Sequence, residues 1–149
     1  MVRTIVWGAC TLGLNGSRAS GQGPWVDRVD PGLTHDPVRS RLTNQWRRAV
    51  VGLRFGEPTY GWVKAFLQSC DTLAGPGYLR SIRAPVLLGS ASADVITLPK
   101  VQAQACSLMP ACRLMSIEGA WHELFMEADS FRGPWMEMLF NFAEANGAK

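Results

Sequence analysis

The sequence predicts an α/β fold in which a helical segment precedes part of a doubly wound parallel sheet. Two short, continuous apolar runs, residues 85–89 and 113–117, are separated by a helical stretch, which is typical of strands buried in a parallel sheet. Residues before position 78 carry helical periodicity instead. We therefore expect a helical segment over residues 1–78 and a β-α-β-α segment over residues 79–149.

The N-terminal residues allow two interpretations. The apolar run from Thr4 to Leu14 is followed by small residues, which is the pattern of a weak signal peptide. The alternative is an apolar helix that ends at Asn15-Gly16. The run is too short to cross a bilayer in either case. Residues 21–32, rich in Gly, Pro and Asp, follow as a loop.

Two further helices are predicted before residue 78. Asp36 and Pro37 start the first, with Asp as N-cap and Pro at the first helical position. Its apolar stripe recurs every three or four residues: Val38, Leu42, Trp46, Val50 and Leu53. The next helix runs from Thr59 to about Leu73 and ends at AGPGY, residues 74–78. Its buried side is expected to carry Val63, Phe66, Leu67 and Cys70.

The second segment alternates strand and helix. The strand at 85–89 is followed by a loop, a helix from about Pro99 to Met109, and the strand at 113–117. Pro134 is expected to open the last helix, whose stripe is Trp135, Met138, Leu139 and Phe142. Because two buried parallel strands do not make a stable sheet alone, we expect them to be the edge of a larger one.

Composition excludes several classes of protein. With 149 residues, 47% of them hydrophobic and 18% charged, the chain is globular. The net charge of +3 is small and the arginines are scattered, so we expect no nucleic-acid partner. The four cysteines lack C-x-x-C spacing and a clustered histidine, which argues against a zinc site or a redox pair. We expect reduced thiols and a cytoplasmic protein, with secretion as the alternative.

Asp94 and His122 are the candidate catalytic residues. Asp94 lies in the loop after the first strand and His122 in the loop after the second. Since the carboxyl ends of neighbouring parallel strands meet at one rim, the two side chains should lie together. A carboxylate that orients an imidazole is the supporting half of a nucleophile–base–acid triad. Taken singly, either residue would more often be a cap or a surface group.

A metal site at His122 is not expected. The segment HELFM begins as the zincin motif does, but Met126 stands where the second histidine must be. His35, in LTHDP at a helix start, is interpreted as a local hydrogen-bonding group and not as a ligand. We expect no metal and no cofactor.

The two loop segments resemble a known family. VLLGSASADVIT followed by IEGAWHELFME is similar to the last two strand–loop segments of the lysophospholipase and monoacylglycerol-lipase branch of the α/β-hydrolases. The likeness in the acid loop rests on Gly89, Asp94 and Ile96, and that in the base loop on GAWHE, residues 119–123. WGACTLGL, LTHDPVR and GEPTYGWVKAF resemble the helical cap of the same family, so residues 1–78 are expected to be cap-like.

This resemblance implies a serine hydrolase that acts on acyl esters of glycerol or lysophospholipid. His122 would be the general base and then the general acid, and Asp94 would orient it. Cap aromatics such as Tyr60 and Trp62 would wall an apolar acyl channel, with ordinary core packing as their other role. A lipid-like substrate also implies peripheral contact with a membrane.

The chain departs from the family at the nucleophile. The family serine stands in G-x-S-x-G, and no such pentapeptide occurs here, because GSASA (89–93) has Ala91 in the middle. The oxyanion-hole segment is missing as well. We therefore expect the C-terminal part of such an enzyme, inactive and prone to self-association alone. The alternatives are a non-catalytic remnant, half of a split hydrolase that pairs with an N-terminal half, or a small secreted binding protein.

Overall fold

The computed structural model describes residues 1–21, 23–28, 32–75 and 77–147. Parts of the predicted 21–32 loop and of the AGPGY helix end, residues 22, 29–31 and 76, lie outside these ranges. The described residues form two compact units: Met1–Asp27 with Trp46–Tyr78, and Arg28–Gln45 with Leu79–Lys149. The predicted division into a cap over 1–78 and a core over 79–149 concerns a larger enzyme and stays a prediction.

The first unit is built on two packed helices, α1 (Val2–Thr11) and α3 (Tyr60–Ala74). Helix α1 buries Val6 and Cys10 and ends four residues before the predicted Asn15-Gly16 stop. The hydroxyl oxygen of Thr59 accepts a hydrogen bond from the amide of Trp62 and so caps α3 at its predicted start. Phe66 is exposed and stacks on Trp62, so its predicted burial is wrong.

Helix α2 (Arg39–Ala49) begins two residues after its predicted start at Pro37 and turns an unexpected face inward. The Asp36 carboxylate accepts hydrogen bonds from the amides of Val38 and Arg39, both at 2.9 Å. The predicted apolar stripe is wrong, since Trp46 is 63% exposed while Asn44 is only 5% exposed. Asn44 is drawn inward because its side-chain amide donates to the carbonyl of Arg28. A short 3-10 turn, Val51–Leu53, follows.

The second unit holds a two-stranded parallel sheet, as predicted. Strands β1 (Val86–Ala91) and β2 (Cys112–Ile117) pair in register from Val86 opposite Cys112 to Ala91 opposite Ile117. Helix α5 (Pro99–Leu108) makes the crossover between them, and a short helix, α4 (Tyr78–Ser81), precedes β1. Among the described residues, one edge of β1 has no partner strand.

The last helix, α6 (Asp129–Ala145), packs on this sheet and closes a small core. The core consists of Ala91, Ile117, Ala120, Leu124 and Trp135. Trp135 lies directly on β1 at Gly89, where a β-carbon would come within 2.8 Å of the indole ring. The predicted start of α6 at Pro134 is wrong, because the Ala128 carbonyl already accepts the amides of Phe131 and Arg132. Pro134 inside the helix removes one hydrogen bond without ending it.

Two of the four cysteines form a disulfide, contrary to the expectation of reduced thiols. Cys106 at the end of α5 is bonded to Cys112 at the start of β2, with their Cα atoms 5.3 Å apart. The tight turn between helix and strand brings them together without C-x-x-C spacing. Cys10 and Cys70 are free. The prediction of a cytoplasmic protein thereby loses the support it drew from reduced thiols and stays a prediction.

Within the described ranges, none of the helices combines the length and the apolar character that crossing a bilayer requires.

Candidate active site

Asp94 and His122 meet at the carboxyl ends of β1 and β2. The Nδ1 atom of His122 lies 2.8 Å from Oδ2 of Asp94. The Asp94 side chain is almost fully buried, at 2% exposure, whereas the His122 ring is 31% exposed. The pair therefore has a sheltered carboxylate and an imidazole open to solvent on its other side. The structure brings together the two side chains that the sequence singled out, and their catalytic role stays a prediction.

Hydrogen bonds between the two loops fix this meeting point. The amides of Ser92 and Ala93 donate to the carbonyls of Ile117 and Ala120, both at 3.1 Å. In return the amide of Gly119 donates to the Ser92 hydroxyl at 2.8 Å. Gly119 has φ +76°, a left-handed conformation that suits glycine and turns the chain sharply after β2.

The Asp94 carboxylate is held ionised by its neighbours. Its Oδ1 accepts the amides of Ile96 at 2.7 Å and Thr97 at 3.1 Å, and its Oδ2 also accepts the Thr97 hydroxyl. Burial alone would raise the pKa of Asp94, but the hydrogen bonds from Thr97, His122 and the two amides outweigh it and hold that pKa well below its ordinary value. Asp94 is thus an anion that can orient an imidazole and stabilise an imidazolium.

Thr97 is a supporting residue that the sequence analysis missed. Besides donating to Asp94, its hydroxyl accepts a hydrogen bond from the side-chain amide of Gln102, at 2.9 Å. Gln102 lies in the first turns of α5, so the helix steadies the acid. A threonine three residues after a candidate catalytic aspartate was the available signal.

An open groove of about 560 Å³ runs from the edge of β1 to His122. Its walls are Leu87, Leu88, Gly89, His122, Glu123, Leu124, Phe125, Met126 and Trp135. The groove is mostly apolar, and His122 is its only histidine. The ring of His122 therefore reaches a surface large enough for another chain segment or for an apolar group.

A second histidine–carboxylate pair lies beside the first. Nδ1 of His35 is 2.7 Å from Oε1 of Glu127, which is fully buried. The interpretation of His35 as a local group is wrong, since its partner lies 92 positions away. Burial would raise the pKa of Glu127, but hydrogen bonds from Trp121, His35 and Ala128 lower it to about 2. Sequence alone gave no pairing signal for Glu127.

The predicted substrate-binding residues Tyr60 and Trp62 lie in the first unit. Tyr60 lines a cavity of about 230 Å³ with apolar neighbours that include Ile5 and Val63. Trp62 is exposed and stacks on Phe66, with ring centroids 5.4 Å apart. Their part in an acyl channel stays a prediction.

No serine in the acid loop has the setting of a nucleophile. Ala91 fills the middle of GSASA, Ser90 is buried, and the Ser92 hydroxyl accepts the Gly119 amide. In the part of the chain that the structure describes, no three or more His, Cys, Asp and Glu side chains are grouped to hold a metal ion. What the structure shows at this site is the Asp94–His122 pair beside an acid loop without an available serine.

Comparison with known proteins gives relatives of one kind. Lysophospholipase L2 of Escherichia coli strain K12 is 29% identical over 118 residues, and the same protein of strain O6:H1 matches equally. The match covers 74% of this chain and 34% of the relative, so the chain spans about a third of the length of the curated relatives it matches. No protein-family model matches the chain.

Among solved structures, a soluble variant of monoglyceride lipase from Saccharomyces cerevisiae, in complex with a substrate analog, has the same fold over most of this chain. The TM-score is 0.67 at 17% identity, over 82% of this chain and 44% of that one.

Proposed function

Because the chain is related to the α/β-hydrolases of lysophospholipase and monoglyceride lipase type, we propose that it supplies the acid and base of a serine hydrolase. The substrates are acyl esters of glycerol or lysophospholipid. The observation that carries the proposal is the 2.8 Å contact between Nδ1 of His122 and the buried Asp94 carboxylate. The nucleophilic serine and the oxyanion hole come from polypeptide outside these 149 residues.

The geometry supports a defined division of labour. With Nδ1–H donated to Asp94, the Nε2 atom of His122 is left to take a proton from the serine hydroxyl. The resulting imidazolium is stabilised by the ionised Asp94 and then returns the proton to the leaving alcohol. Asp94 need not be protonated at any step, which agrees with its lowered pKa.

The chain alone is inactive under this proposal. Removal of the nucleophile from a triad leaves at most the weak catalysis that binding and an oxyanion hole provide, and this sequence has neither the G-x-S-x-G elbow nor that hole. The purified chain is expected to hydrolyse p-nitrophenyl esters no faster than buffer. It should also resist labelling by a fluorophosphonate probe, and stoichiometric labelling of any serine would contradict the proposal.

A chimera tests the function itself. In the chimera, this chain replaces the stretch of E. coli lysophospholipase L2 that it matches. The remainder of that enzyme is then expected to supply the nucleophilic serine and the oxyanion hole. We expect ester hydrolysis by the chimera, and its loss by at least about 10³-fold in the His122→Ala and Asp94→Asn variants. Phe140→Ala, at an exposed apolar position on α6, is the matched control and should keep the activity. A folded chimera that stays active as His122→Ala would sink the proposal.

The second candidate is a non-catalytic role, as a remnant or as one half of a split hydrolase. The observation that favours the split form is the edge of β1 that has no partner strand among the described residues and lies beside an apolar groove, which is a template for a further strand. An upstream reading frame that encodes G-x-S-x-G would support a split enzyme. Independently of which candidate holds, we propose self-association through the same edge and a location in the cytoplasm. Peripheral contact with a membrane is proposed for the enzyme that acts on a lipid-like substrate.

A further inference from the structure

Glu127 is a fully buried and fully hydrogen-bonded carboxylate of the second unit. Its side chain is 0% exposed and accepts four donors. The donors to Oε1 are Nδ1 of His35 and the amide of Trp121, both at 2.7 Å. Those to Oε2 are the amides of His35 and Ala128, at 2.8 and 2.9 Å. The Thr34 hydroxyl lies 3.2 Å from the same oxygen, but its one proton goes to the Met126 carbonyl at 2.7 Å. A buried carboxylate persists only with such full pairing.

One of these hydrogen bonds holds the backbone immediately before His122. Trp121, whose amide binds Glu127, is the residue immediately before His122. On the other side, the amide of Glu123 donates to the carbonyl of Leu33 at 2.9 Å. The peptide that carries His122 is therefore held at both neighbouring amides, once by Glu127 and once by the segment to which Glu127 is bonded.

Aromatic stacking and a further hydrogen bond lock the same segment. The His35 ring lies on the Trp121 indole, with centroids 3.9 Å apart, and on Phe131 at 5.1 Å. The Thr34 hydroxyl donates to the Met126 carbonyl at 2.7 Å. Residues 33–35 thus contact the His122 loop before and after the histidine.

We infer that Glu127 is a positioning residue for His122. It ties the Trp121 amide to the amide and the ring of His35, and this fixes the peptide from which the His122 ring reaches Asp94. Glu127 does not touch the reacting atoms, and it acts through the backbone. The inference rests on the proposed function only in taking His122 as the base.

The alternative is that Glu127 stabilises the fold without setting the His122 ring. The two cases differ in which nitrogen of the His122 ring carries the proton. A general loss of stability in a still-folded protein would not change this. Nitrogen-15 spectra of the full chain report which nitrogen carries the proton. Because the chain has two histidines, the signals of His122 are those that disappear in the His122→Ala variant.

The test compares Glu127→Gln with Glu123→Gln. Both remove one carboxylate close to His122 in sequence, but Glu127 alone accepts the Trp121 amide. In the parent chain and in Glu123→Gln, we expect one dominant tautomer of His122 with the proton on Nδ1. In Glu127→Gln, the amide nitrogen of the new side chain faces some of the donors, so the tautomers should mix and the Trp121 amide should exchange with solvent about tenfold faster or more.

Each outcome decides a different question. A folded Glu127→Gln variant that keeps the Nδ1–H tautomer overturns the positioning role and leaves the proposed function standing. Absence of that tautomer in the parent chain counts against the Asp94–His122 pair and so against the proposed function itself. If Glu127→Gln does not fold, Glu127→Asp carries the test. It keeps the charge but is one methylene shorter, so a partial shift of the tautomer supports the inference and no shift overturns it.

Discussion

The hydroxyl of Thr97 donates to the carboxylate oxygen of Asp94 that also faces His122. Oδ2 is thereby shared between a fixed donor on its own loop and the imidazole of the neighbouring loop. Asp94 is therefore held by its own turn as well as by His122.

Thr97→Val should therefore weaken the acid loop. The substitution keeps the shape, leaves Oδ2 of Asp94 with one donor fewer and orphans the side-chain amide of Gln102. We expect a loss of about 1–3 kcal/mol in the free energy of unfolding, measured by urea denaturation. Thr72→Val is the matched control, since that exposed hydroxyl bonds only within its own helix. Its effect should stay within about 0.5 kcal/mol, and an equal effect of both changes would contradict the argument.

The free energy of unfolding should fall in acid. The folded-state pKa values of Asp94 and Glu127 lie below their ordinary values, for Glu127 at about 2 against 4.5. Groups with a lowered pKa contribute stability that is present above the unfolded pKa and is lost as pH falls through the folded one. For Glu127 the loss lies between about pH 4.5 and pH 2 and is on the order of 3 kcal/mol.

Glu127→Gln should flatten that pH dependence, whatever its stability at neutral pH. The measurement is a series of urea midpoints from neutral pH down to the acid limit of folding. A variant whose slope against pH equals that of the parent would show that Glu127 contributes no such linkage.

Gly89→Ala and Gly8→Ala should change the free energy of unfolding in opposite directions. A β-carbon at Gly89 would come within 2.8 Å of the Trp135 ring, so the indole must move and the core loses packing. We expect destabilisation by about 1–3 kcal/mol. At Gly8, inside α1, an added β-carbon would meet no neighbouring atom within 4 Å, so alanine should stabilise that helix by up to about 1 kcal/mol. Thermal unfolding of the two variants checks both, and an unaffected Gly89→Ala would argue against the close packing of Trp135 on β1.

The Cys106–Cys112 disulfide predicts a thiol count. Unfolded without reductant, the chain should react with alkylating reagent at Cys10 and Cys70 only, and at all four cysteines after reduction. Mass spectrometry distinguishes the two results. Because the loop is short, Cys112→Ala should cost only about 2 kcal/mol of stability. Four reactive thiols in the unreduced chain would instead support the sequence-based expectation of reduced cysteines.

Strands and the placement of the acid and base followed from local patterns. The runs at 85–89 and 113–117 form β1 and β2, with bounds shifted by at most two residues. A short, continuous apolar run between turn residues is typical of a buried strand. Asp94 and His122 followed from where parallel strands end. These inferences need only the immediate neighbours of each residue.

Three of the failures involve partners that no local sequence pattern predicts. Asn44 took the inward face of α2 through a hydrogen bond to the Arg28 carbonyl, against the apolar periodicity. His35 found Glu127 92 positions away, and Cys106 found Cys112 across a turn whose geometry spacing rules do not cover. Tertiary pairing overrode local preference in each case.

The pairing of Leu33 with Glu123 and of His35 with Glu127 has an evolutionary corollary. Residues 33–35 stand in a stretch that sequence likeness assigns to a cap, where substrate preference would be free to diversify. Under the proposed function they hold the loop of the base, so we expect substitutions there to be limited by the Asp94–His122 pair and not by the substrate. Related chains that change the residue at position 35 should also change the residue at position 127. When cap segments are exchanged between relatives, the product should be active only if residues 35 and 127 are exchanged together.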